Sequence, residues 1–145
     1  MGRRTILVVE DEMLIGAVIE DALVEAGYGV ALVTCGEDAI ALLDEASTAF
    51  SGVVTDIRLG SGCSGWDVAR FARERDLSVG VVYVSGDSGA EWHSRGVPRS
   101  LFVQKPFSGS RIVTAVAAAL CPIAAPARQP DARPPMDGLE NRIRG

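Results

Sequence analysis

The feature that most constrains this chain is a strict alternation of strand-length apolar runs with segments of helical period. The runs are "TILVVE" (5–10), "YGVALV" (28–33), "SGVVTDI" (51–57), "VGVVYVSG" (79–86) and "SLFVQ" (100–104). Between them, apolar residues recur every three or four positions. Ile15, Ile19, Ala22, Leu23 and Ala26 mark a first helix; Ile40, Leu43 and Ala46 mark a second. In the third, over 66–75, Val68, Phe71 and Ala72 are expected to face inward and Arg70, Arg73 and Glu74 outward. Residues 88–95 predict only a short, weak helix, and Ile112, Val113, Val116, Ala117 and Leu120 mark the last. Five strand–helix units imply a parallel sheet with helices on both faces. The run 79–86 is the richest in β-branched residues and is expected to be a buried central strand.

The ends of these strands carry the chemistry. The first stops at Glu10 and Asp11, the third at Asp56, the fourth at Ser85, and Lys105 follows the fifth. In an open parallel sheet of order 2-1-3-4-5, strands one and three flank the crevice where ligands bind. Three acids distant in sequence would then share one pocket with a hydroxyl and an ammonium. Clustered carboxylates repel unless a cation joins them. Mg²⁺ suits such a set, being hard and content with carboxylates, a carbonyl and waters. A carboxylate in that setting can attack phosphorus and become an aspartyl phosphate. Lys105 and the metal would stabilise charge on the transferring oxygens.

The motifs "ILVVEDE", "VVTDIRL", "VVYVSG" and "FVQKPF", in this order and each at a strand end, resemble the receiver domain of two-component response regulators over residues 4–121. The resemblance implies a flavodoxin-like (βα)5 fold, an α/β doubly wound parallel sheet of order 2-1-3-4-5. It implies Asp56 as phosphoacceptor, Asp11 as a direct magnesium ligand, Glu10 as a ligand through water, and the backbone carbonyl of Arg58 as a further ligand. Ser85 takes the position that grips the phosphoryl group, Lys105 pairs with it, the Lys105–Pro106 bond is expected to be cis, and Phe102 takes the aromatic switch position. Some residues depart from the family pattern. Gly60 stands where proline is frequent, the following loop is one residue longer, Glu10 replaces the commoner Asp, and Phe102 replaces the commoner Tyr.

Other readings of the same residues are weaker. Gly60, Gly62 and Gly65 have G-x-G-x-x-G spacing, and Asp87 stands about twenty residues beyond, as in a dinucleotide fingerprint. That fingerprint belongs after the first strand, however, and Asp56 would aim a carboxylate at the pyrophosphate. The glycines are expected to turn the backbone above the acids. No G-K-[ST] occurs, so a P-loop is excluded. A phosphatase of similar fold needs a second acid where Arg58 stands. Glu10 and Asp11 could also cap the first helix. Trp66 and Trp92 read as packing residues, and His93 as a surface residue.

Composition sets the outer limits. A net charge of −5 argues against a nucleic-acid surface. The longest apolar stretch, around 112–121, is about half the ~20 residues a membrane span needs, and the short run before "EDE" is no signal peptide. Cys35, Cys63 and Cys121 fit reduced thiols, and hence a cytoplasmic protein. Five of the seven prolines fall in 122–135, so 122–145 is expected to be a Pro-rich tail on a receiver domain of residues 1–121. The expected protein is a switch that takes a phosphoryl group from a histidine kinase or histidine phosphotransfer protein and then changes its binding to a protein target or relays the group. It would catalyse only its own phosphorylation and dephosphorylation, and a weak homodimer is conceivable. The competing expectation is a scaffold of the same fold that signals without phosphate.

Overall fold

The structure is a computed structural model that describes residues 3–45, 49–87 and 89–121. The Pro-rich segment 122–145 and Ala46 lie outside these. The elements run β1 (Thr5–Val9), α1 (Met13–Glu25), β2 (Gly29–Val33), α2 (Gly36–Asp44), β3 (Gly52–Asp56), α3 (Gly65–Arg75), β4 (Gly80–Ser85), α4 (Gly89–Arg95), β5 (Ser100–Gln104) and α5 (Gly109–Leu120). All strand pairs are parallel, in the order β2-β1-β3-β4-β5. This is the (βα)5 arrangement expected from the alternation of runs.

Side chains on a strand point alternately to its two faces, so each central strand feeds two cores. Leu7, Val9, Val53, Val81 and Tyr83 pack on the side of α2 and α3, with Trp66, Val68 and Ala72. Ile6, Val8, Val54, Val82 and Val84 pack on the side of α1 and α5, with Ile19, Leu23, Ile112 and Val116. β4 is buried along its whole length, as its β-branched run predicts. The edge strand β2 is only half-buried. Trp66 is buried, its ring centroid 4.9 Å from that of Tyr83.

Local signals explain the helix ends. Ser64 caps α3 through a reciprocal box with Asp67, each side chain taking the other's backbone amide. Ser108 caps α5 by accepting from the Arg111 amide. At α1 the N-cap is Glu12, and its side chain makes no capping bond. Neither Glu10 nor Asp11 is therefore the helix cap.

One expectation for α3 is overturned. Arg73, placed outward by helical period, is buried at 7% exposure. Its guanidinium donates to the carbonyls of Val79 (2.8 Å), Pro98 and Arg99 (3.3 Å), ahead of the first residues of β4 and β5. Burial has no net cost in partners here, because three fixed carbonyls meet a fork of donors. Ala117, one of the apolar markers of the last helix, is exposed. No helix among the described residues is long and apolar enough to cross a membrane.

Candidate functional site

The sheet order makes the site. β1 and β3 are neighbours with Val9 opposite Thr55, so the residues that follow them emerge side by side. Glu10 is pinned by its amide to the Val33 carbonyl at 3.1 Å, and Asp56 is the last residue of β3. Glu10 and Asp56 are buried at 1% and 5% exposure, whereas Asp11 is exposed. One carboxylate oxygen from each of Glu10, Asp11 and Asp56 lies within 4.8 Å of the others.

Lys105 closes the group from β5. Its backbone amide donates to the Ser85 carbonyl at 2.9 Å, and the Lys105–Pro106 peptide is cis as expected. Its ammonium donates to Asp56 Oδ2 at 3.1 Å and lies 3.3 Å from Glu10 Oε1 and 3.5 Å from Glu12 Oε1. Burial lowers the Lys105 pKa, but the hydrogen bond and charge of Asp56, and then those of Glu10, outweigh it and raise the value overall. The lysine thus stays an ammonium.

A single ammonium does not satisfy these acids. The carboxyl groups of Glu10, Asp11 and Asp56, with Glu12 beside them, face one ammonium. Glu10 bears the strain. Burial first, and the Asp56 charge after it, push its pKa up to about 7, against the Glu12 amide and Lys105, which pull it down. Glu10 Oε2 accepts from the Glu12 amide at 3.1 Å. Glu10 Oε1 is buried and, although near Lys105, sits in a geometry that gives it no hydrogen bond. An orphaned buried oxygen within a set of hard oxygen donors fits a divalent cation such as Mg²⁺.

The loop after β3 completes the pocket wall. The Arg58 amide donates to Asp56 Oδ1 at 3.2 Å. Gly62 has φ +93°, which L side chains rarely adopt. At Gly65 the need is close approach, since a Cβ there would overlap the carbonyl oxygen of Asp56. The Gly65 amide donates to the Ile57 carbonyl at 2.8 Å. The loop therefore folds back on the Asp56 backbone, which explains the G-x-G-x-x-G spacing without a nucleotide. The Cys63 amide donates to Glu37 Oε2 at 2.9 Å and ties the loop to α2. Cys35, Cys63 and Cys121 are free thiols.

Glu10, Asp11, Asp56 and Lys105 thus come together as the strand ends suggested. Ser85, at the end of β4, is buried, and its hydroxyl donates to Asp87 at 3.4 Å. Phe102 precedes Lys105 by three residues and pairs in register with Tyr83. It is half-buried on β5 with its ring 6.0 Å from that of Trp92 on α4, in a stacked arrangement. Trp92 also donates to Ser100 at 3.0 Å, so it packs as expected, and His93 is exposed. Two residues that sequence reasoning passed over belong to the site's rim. Glu12 reaches Lys105, a role that the third acid of "EDE" could have signalled. Asp87 is paired with Arg58 at 3.0 Å. Nothing in the sequence joins two loop residues 29 positions apart.

Comparison with known proteins agrees with this geometry. The family model for the response regulator receiver domain matches residues 6–117. A response regulator receiver protein of Sinorhizobium medicae has 42% identity and a TM-score of 0.78, over 81% of this chain and 94% of that one. The receiver domain of a sensor histidine kinase from Pseudomonas aeruginosa, solved with a magnesium ion coordinated in its active site cleft, has 22% identity and a TM-score of 0.70, over 82% and 98%. A CheY-like receiver domain protein of Methanospirillum hungatei has 19% identity and a TM-score of 0.72, over 82% and 94%. No curated protein matches the chain.

Proposed function

The chain belongs to the response regulator receiver family, the phosphorylation-dependent signalling domains of two-component systems, and on that footing we propose that Asp56 is its phosphoacceptor, with magnesium as cofactor. The observation that carries this reading is the pairing of Asp56 with Lys105 beside the unsatisfied oxygen of Glu10. Glu10, Asp11, Asp56 and the Arg58 carbonyl would hold the magnesium ion. That ion supplies positive charge to the carboxylates and to the phosphoryl oxygens.

The chain's own groups do the rest. Lys105 orients Asp56 Oδ2 and stays near the transferring oxygens as a fixed cation. The Arg58 amide holds Oδ1, so the carboxylate cannot swing. An Asp56 oxygen forms the new bond to phosphorus as the N–P bond of a phosphohistidine breaks, and the imidazole leaves with that electron pair. Ser85 donates its hydroxyl to a phosphoryl oxygen once the group has arrived. Water later attacks phosphorus, inorganic phosphate leaves, and the carboxylate returns. The domain catalyses only this cycle on itself. Its donor is a histidine kinase or histidine phosphotransfer protein, its working compartment the cytoplasm, and its output altered binding of a protein target or onward relay. Phe102 on β5 is the residue through which the change reaches α4.

The test is incubation with acetyl phosphate and Mg²⁺, read by intact mass. One phosphoryl group is expected per chain, and none without Mg²⁺. A folded protein that takes up no phosphoryl group overturns the reading in favour of a phosphate-independent scaffold.

A further inference from the structure

Two donors that a phosphoryl anion on Asp56 would attract are already engaged, and both by the same carboxylate. Asp87 Oδ1 accepts from Arg58 Nε at 3.0 Å and from Ser85 Oγ at 3.4 Å. The Asp87 amide donates back to Ser85 Oγ at 3.3 Å. Both donors are rooted beside the acceptor. Arg58 is two residues past Asp56 and binds it through its amide, and Ser85 follows Val84, the residue opposite Asp56 in the sheet. Their polar ends nevertheless turn to the loop after β4. The guanidinium is held above its ordinary pKa by Asp87 first, with Glu91 and Asp56 adding to the effect.

Resting on the reading of Asp56 as phosphoacceptor, we propose that Asp87 is a positioning residue that stands in for the phosphoryl anion, holding the Arg58 guanidinium and the Ser85 hydroxyl until phosphorylation draws them away. The balance of forces suits an exchange. The Arg58–Asp87 pair is about two-thirds exposed on both sides, at 66% and 64%, so water screens it and it is weak. The hydroxyl contact is long for an O–H···O bond and is easily surrendered. A phosphoryl group offers more charge and three acceptor oxygens. Asp87 thereby sets how far the resting protein already resembles the phosphorylated one, because a ligand shifts an equilibrium only by its differential affinity. The resting loops after β3 and β4 are latched together across the pocket, and the incoming group releases the latch.

The experiment is calorimetric titration with beryllofluoride in Mg²⁺, on the unsubstituted protein, D87A, D87N, R58A and R58A/D87A, with urea melts to report folding separately. D87A and D87N are both expected to bind about fivefold more tightly, the equilibrium equivalent of an exposed ion pair removed. In the R58A background the Asp87 substitution should change affinity by less than about twofold. Equal tightening in both backgrounds means simple removal of a negative charge and overturns the placeholder. No tightening in either Asp87 variant overturns it too. An unsubstituted protein that binds no beryllofluoride overturns the Asp56 reading itself, so the two failures are distinguishable.

Discussion

The two ends of the sheet each bury charge, and they treat it in opposite ways. At the amino ends of β4 and β5, the cation Arg73 meets three carbonyl oxygens from Val79, Pro98 and Arg99. At the carboxyl ends of β1 and β3, Glu10 and Asp56 share one ammonium with Glu12, and Glu10 Oε1 has no hydrogen bond. Burial, and then the charge of Arg99, lower the Arg73 pKa, yet a guanidinium with fixed acceptors remains charged. Burial of Glu10 raises its pKa to about 7, because a bare carboxylate there is a buried charge with too few partners, which a cation would relieve. A satisfied buried charge stabilises an architecture. An unsatisfied one costs stability and is retained where a ligand completes it.

Substitutions should separate the two ends. The largest effect is on chemistry. Asp56→Asn should abolish phosphoryl uptake from acetyl phosphate while the protein stays folded, as intact mass and circular dichroism would show. Labelling that survives the change would move the acceptor elsewhere. Next comes the structural end. Arg73→Met should cost about 2–4 kcal/mol in urea unfolding, since it orphans several carbonyls at once. A loss under about 1 kcal/mol would mean that water replaces the guanidinium and that the contrast between the ends is false.

The same kind of change at Glu10 should have the other sign. In metal-free buffer above pH 7, Glu10→Gln should raise stability by about 1–2 kcal/mol, because it removes a desolvated charge. The sign follows from linkage. Folded Glu10 holds its proton up to about pH 7, whereas the unfolded group releases it near its ordinary pKa of 4.5. Stability therefore falls as pH rises between those values, and the gain from Gln should vanish below about pH 4.5. Mg²⁺ should raise the melting temperature of the parent more than that of Glu10→Gln. The smallest effect is expected at the joint between loop and helix. Ser64→Ala should cost about 1 kcal/mol, by removing half of the capping box on α3.

Much of the site could be read in the residues. Glu10, Asp11, Asp56 and Lys105 each end or follow an apolar run, and parallel strands bring their carboxyl ends to one edge. The decoy at Gly60, Gly62 and Gly65 was also soluble by position, since it follows the third strand and not the first. Arg73 defies its helical period, which assigns faces by polarity. An arginine whose acceptors come from loops before two other strands breaks that rule. Asp87 is legible in the sequence only as the distant acid of that decoy, and nothing local marks its pairing with Arg58 and Ser85.

The sequence by itself determined the alternation of elements, the two-sided burial of the central strands and the set of groups at their ends, because these follow from periodicity and strand direction. Only the tertiary structure decided which charges are satisfied. Hydrogen-bond geometry depends on ångström-scale placement of groups far apart in the chain, as with Arg73 and its carbonyls, Glu10 and its orphaned oxygen, and Asp87 between Arg58 and Ser85.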